Sequence, residues 1–104
     1  MNTGHIFDLM RETIYIPSVG RSRTETNGSL VFTSSCPCSD IYFMNPRAAR
    51  VLMLIDGRRN VEQVHALIQN DHPQFSQQEI MLDIIKTVRF LESIKAVKQR
   101  RKKQ

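Results

Sequence analysis

The stretch DIYFMNPRAARVLMLIDG, residues 40–57, decides the fold. Its opening run, Ile41, Tyr42, Phe43 and Met44, is rich in the β-branched and aromatic residues that suit a strand. It passes without a loop into Asn45-Pro46, a helix start. Asn is a good N-cap, and proline suits the first helical position, where its missing N–H costs no hydrogen bond. Ala48, Ala49, Val51, Leu52, Leu54 and Ile55 then make an apolar helix that stops at Asp56-Gly57. A strand welded to a helix is the junction around which the rest of the chain is read.

Downstream the pattern stays helical. A second helix starts at Asn60, with Gln63 three residues on as a partial capping box, and is expected to bury Val61, Val64, Leu67 and Ile68. Residues 70–73, Asn-Asp-His-Pro, end it, because the residue before a proline avoids helical geometry. Ser76 and Glu79 open a third helix that is expected to run to Val97. Its core stripe is Ile80, Ile84, Val88, Leu91 and Ile94, widened by Met81 and Ile85. Upstream, residues 13–44 read as three strands. Asn27-Gly28 between two strand-like runs predicts a hairpin with a type I′ turn. Pro17 argues that the first strand is at an edge or begins late. Residues 1–12 have no clear period and are expected to form a flexible N-terminal segment.

The chain has 104 residues, enough for one domain with a modest core. Its 15 Lys/Arg exceed its 10 Asp/Glu by five. That excess sits wholly in the tail, at Lys98, Arg100, Arg101, Lys102 and Lys103, so the body is neutral and the tail basic. Such a tail is most often a solvated, frayed end and less often a contact for phosphates or anionic surfaces; any nucleic-acid binding it adds is expected to be non-specific and salt-sensitive. Residues 1–13 lack a secretory pattern and no apolar run nears the roughly 18 residues that span a bilayer, so a cytoplasmic protein without membrane contact is expected. Cys36 and Cys38 flank Pro37 too tightly for relaxed disulfide geometry, and read as reduced thiols in a turn. With His5, His65 and His72 at no ligand-like spacing, no metal site is expected. Glycine-rich phosphate loops and nucleophile elbows are absent, so neither catalysis nor a cofactor is expected.

The back of the third helix is the feature a simple core does not explain. Leu82, Lys86, Arg89, Phe90 and Ser93 gather there. They form either a contact under the hairpin or between two copies, or a groove wall that holds apolar side chains and attracts acids. The strand at 41–44, if it lies at the sheet edge, offers unpaired backbone groups to an added strand. A homodimer joined through that edge would use the same groups.

Two stretches, FMNPRAARVLMLIDGRRNVEQV and EIMLDIIKTVRFLESIKAV, resemble the PqqD-like proteins, peptide-recognition domains of ribosomal-peptide maturation systems. The likeness covers residues 13–97 and lies in the strand running into Asn45, in Ala48-Ala49, in the Asp56-Gly57 turn, in Val61 and Val64, and in the long third helix. It implies an α+β, winged-helix-like domain: a three-stranded antiparallel sheet followed by three helices. It further implies that the leader segment of a precursor peptide adds to the third strand and lies against the third helix. Carried over, the peptide-binding residues are Ile41, Tyr42, Phe43 and Met44 on the strand, and Leu82, Ile85, Lys86, Arg89 and Phe90 on the helix. The partner is then a separate peptide-modifying enzyme, a radical enzyme being one kind. A DNA-binding winged helix is the alternative, opposed by a hairpin that precedes the helices and by Glu79 and Asp83 at the start of the third helix.

Overall fold

The structure, a computed structural model, describes residues 3–34 and 40–100. The Cys36-Pro37-Cys38 turn and Arg101, Lys102 and Lys103 lie outside the described residues. The elements in order are α1 (Thr3–Met10), β1 (Tyr15–Pro17), β2 (Val19–Thr24), β3 (Leu30–Ser34), β4 (Ile41–Met44), α2 (Pro46–Leu54), α3 (Val61–Asp71), α4 (Gln77–Ser93) and β5 (Val97–Gln99). The expected α+β architecture is present: β2, β3 and β4 form a three-stranded antiparallel sheet in that spatial order, and three helices follow it. No helix among the described residues is long and apolar enough to cross a membrane.

Each of the three later helices begins where its cap lies. Asn45 Oδ1 accepts from the Ala48 N–H at 2.9 Å, with Pro46 next to it at the first helical position. Asn60 and Gln63 exchange hydrogen bonds of 2.8 and 2.9 Å, and Ser76 and Glu79 exchange bonds of 3.1 and 3.2 Å. These bonds satisfy N–H groups that a helix start otherwise leaves without acceptors. α2 ends at Leu54, and the following turn is tied by Asp56, whose Oδ1 accepts from the N–H groups of Arg58 and Arg59.

The core is centred on α4, which packs against α1, α2, α3 and β5, and it extends to the inner face of the sheet. Ile80, Ile84, Ile85, Val88 and Leu91 of α4 are buried, as are Val51 and Leu52 of α2, Val64 and Ile68 of α3, and Leu30, Phe32 and Met44 of the sheet. Leu67, expected inside, is 39% exposed: Val64 and Ile68 fill the inner face of α3, and Leu67 falls on its flank.

Four further sequence expectations are corrected here. Residues 3–10 are helical, and Phe7 is 1% exposed within the core, with its ring edge-on to His65 at 5.2 Å. The run after Thr13 is two strands, because Pro17 lacks an N–H and the pairing changes there. β1 pairs with β5, and Ser18 N–H donates to the Ala96 carbonyl at 2.7 Å. α4 stops at Ser93 and not Val97. Lys95 takes a positive φ of 61°, and bonds from Ala96 N–H to Leu91 and from Lys95 N–H to Glu92 close the helix, so Val97 and Lys98 belong to β5 and the supposed tail begins inside a strand. The hairpin turn is not type I′. Gly28 has φ +91° but Asn27 is not in the left-handed region. Gly28 N–H donates to the Glu25 carbonyl at 3.0 Å and Glu25 N–H to the Ser29 carbonyl at 2.7 Å. That is a turn closed by one left-handed glycine, the three-residue alternative to the primed turns.

Candidate functional site

β4 is an edge strand: β3 is its only partner among the described residues. Alternation divides its side chains. Tyr42 and Met44 face inward, whereas Ile41 and Phe43 are 74% and 65% exposed. The opposite edge, β2, is blunted by a register shift between Val19 and Ser22 and by exposed Arg21 and Arg23. Of the two free edges, only β4 presents apolar side chains beside its unpaired backbone.

A groove of about 460 Å³ runs between this edge and α4. Phe43, Met44, Asn45, Arg47 and Ala48 form one wall, and Asp83, Lys86, Thr87 and Phe90 the other. The two walls run antiparallel. At one end Phe90 leans edge-on against Tyr42, ring centroids 6.0 Å apart, and Tyr42 in turn contacts Phe32 at 5.6 Å. At the other end Arg47 binds Asp83 Oδ2 through Nε (2.8 Å) and Nη2 (2.6 Å), while its guanidinium lies 4.8 Å from the Phe75 ring centre. The Arg47–Asp83 end is neutralised. Lys86 and Arg89, both exposed, meet no carboxylate among the described residues, so the Phe90 end is cationic.

The expected site residues fall into three groups. Phe43, Met44, Lys86 and Phe90 line the groove together. Met44 supplies its floor, being 4% exposed. Ile41 and Tyr42 stand on the same strand, Ile41 on the outer sheet face and Tyr42 beneath Phe90. Leu82 and Arg89 are exposed on α4 but outside the groove lining. Ile85 is corrected: it is 4% exposed and belongs to the core stripe, one helical position away from the groove wall at Lys86. Phe90, which looked anomalous on a helix back, is partly covered by Tyr42.

Sequence reasoning missed Thr87, Asp83 as a wall residue, Ala48 and Arg47. Asp83, Thr87 and Phe90 share the spacing of one helical ridge with Lys86, a signal readable by extending that ridge in both directions. Arg47 carries no such signal, since only the packing of α2 on α4 brings it to Asp83.

The histidines do not converge. His65 contacts the Gln77 carbonyl at 3.3 Å and His72 stacks on Phe75 at 5.7 Å. No cluster of three metal-ligating side chains occurs among the described residues. What the groove offers is backbone pairing along β4, apolar surface at Phe43, Met44 and Ala48, and positive charge at Lys86. Comparison of the chain with protein-family models, with curated proteins and with solved structures gives no match.

Proposed function

We propose that this protein is a non-catalytic binding module that captures the leader segment of a ribosomal precursor peptide as a strand added to β4 and presents it to a separate modifying enzyme. The observation that carries the reading is the open β4 edge, with Ile41 and Phe43 exposed, lying beside a groove whose helical wall bears Lys86; Arg89 stands exposed on the same helix outside the lining, and neither cation meets a carboxylate among the described residues. An extended peptide satisfies the edge groups, and its alternate side chains enter the groove toward Phe90 and Lys86. A four-residue strand forms only a few backbone hydrogen bonds, each worth about 1 kcal/mol net. Micromolar affinity needs roughly 8 kcal/mol, so the groove side chains must supply most of the binding.

An amide NMR titration with leader peptides encoded near its gene tests the reading. Shifts concentrated at residues 41–44 and 83–90 are expected. Reversing Lys86 and Arg89 together to Glu, both exposed, should weaken binding about tenfold or more without loss of the folded spectrum, since each exposed pair is worth up to about 1 kcal/mol and reversal turns attraction into repulsion. Unchanged affinity in the double variant would refute the groove. Concentration-dependent shifts at 41–44 without peptide would instead mean that the edge pairs with a second copy. Shifts at residues 77–86 with DNA would favour a DNA-binding winged helix.

A further inference from the structure

A second charged surface forms where the end of β5 meets the turn after α2. Arg100 donates from its backbone N–H to the Ile14 carbonyl (2.7 Å) and from Nη1 to the Gly57 carbonyl (3.2 Å). The end of β5 is thereby held against the segment carrying Arg58 and Arg59. Arg59 is tethered too, with Nη1 3.3 Å from the Leu54 carbonyl and 3.8 Å from Asp56 Oδ2. The Arg58 side chain is exposed and meets no carboxylate among the described residues, and Lys98 is exposed on β5. Asp56 is already committed to the N–H groups of Arg58 and Arg59, and Glu92 lies close enough to Tyr15 to act on it electrostatically. Cations from two distant parts of the sequence thus come together, Arg100 held against the turn that carries Arg58 and Arg59 with Lys98 two residues before it on β5; of the nearby carboxylates, Glu62 is paired with Arg11, and Arg101, Lys102 and Lys103 follow immediately in the chain.

We propose that this surface binds the phosphodiester backbone of double-stranded DNA, without reading base sequence. Two guanidiniums held by backbone carbonyls keep further N–H donors for phosphate oxygens, and an arginine fixed in advance loses less entropy on binding than a free one. Single strands are disfavoured as the partner because they need aromatic platforms. The exposed and half-buried Phe and Tyr rings among the described residues, Phe43, Phe90, Tyr42 and Phe75, stand at the groove or beside Arg47. A membrane is disfavoured because these cations sit on a turn and a short strand, not along an amphipathic helix. The proposal is independent of peptide binding and differs from tail stickiness in one respect: it requires Arg58, which the tail does not.

The test is fluorescence anisotropy of a short labelled DNA duplex with the full-length protein, across salt from about 50 to 200 mM. With Arg101, Lys102 and Lys103 changed to Gln, affinity should fall with salt at a log–log slope of roughly −3 to −4, as four or so phosphate contacts predict, and the native protein should show a steeper slope. Arg58→Glu should lower affinity about fivefold and flatten that slope by about one unit, with Arg58→Lys restoring most of the loss. A variant with Arg101, Lys102 and Lys103 changed to Gln should bind more weakly but remain sensitive to Arg58→Glu. The Lys86, Arg89 double reversal should bind DNA as the native protein does. The proposal is overturned if the Gln variant loses all binding while Arg58→Glu changes nothing, since the tail alone would then be responsible. It is also overturned if phosphatidylglycerol vesicles bind in an Arg58-dependent way and the duplex does not.

Discussion

Phe7→Ala measures whether α1 belongs to the core. Phe7 is 1% exposed, meets His65 edge-on at 5.2 Å, and has the Arg11 guanidinium 5.5 Å from its ring centre. Removing a buried phenyl group forfeits its transfer free energy and leaves a cavity, together about 3–5 kcal/mol. About 1 kcal/mol of that is the edge-to-face contact with the imidazole. α1 is a terminal helix of eight residues and can settle toward α4 to close part of the hole, which places the expected loss at the low end, about 3 kcal/mol. For a domain with roughly 5–10 kcal/mol of total stability, that is a third or more of it. It corresponds to a fall in Tm of roughly 12–24 °C. Urea unfolding followed by far-ultraviolet circular dichroism gives the value directly. Leu9→Ala, on the same helix but 70% exposed, is the control and should change stability by no more than about 0.5 kcal/mol. A loss below about 1 kcal/mol for Phe7→Ala would mean that residues 3–10 are the loose segment their sequence suggests.

Two positions with positive φ should respond with opposite signs. Gly28→Ala should cost about 1–2 kcal/mol in urea unfolding, because φ is +91°, a conformation that side chains with a Cβ rarely adopt; the new Cβ would only touch Pro46 Cβ, at 3.4 Å. Lys95→Gly should gain about 0.5–1 kcal/mol by relieving the left-handed strain at φ 61°, and a loss there would refute the turn geometry. Burial, then the nearby charge of Glu92, pushes the Tyr15 hydroxyl up to about 12, against a lowering contribution from its hydrogen bond to Gln99. Because the folded value lies above the unfolded value near 10, this contribution to stability is fully present below pH 10 and is lost as pH rises through about 12. Tyrosinate absorbance compared with that of Tyr15→Phe should show that ionisation near 12; ionisation near 10 would contradict the burial.

Much of this fold was legible because its signals are local. Asn45-Pro46, Asn60 with Gln63, and Ser76 with Glu79 each satisfy helix N–H groups within four residues, so no distant contact is needed to place those starts. The core stripe of α4 was readable for the same reason, since helical spacing alone puts Ile80, Ile84, Val88 and Leu91 on one face. The misreadings arise where a partner far along the chain decides. Residues 3–10 gain their helix by covering the core with Phe7, and residues 97–99 become a strand only because β1 lies ready to pair with them. Ile85 was placed in the groove only by the resemblance; its helical spacing had put it beside the core stripe, where it is buried.

The amino-acid sequence by itself determined the junction at Asn45, the three later helices, the hairpin at Gly28 and a neutral body ending in cations, all consequences of capping, periodicity and charge that act over a few residues. Tertiary structure alone decided which strand edge stays open, that Arg47 closes one end of the groove on Asp83, and that Arg100 stands against the turn carrying Arg58 and Arg59. Those outcomes depend on contacts between segments far apart in the chain. Their cost is loop closure and their reward is burial of a shared core, and neither is written in any short stretch of residues.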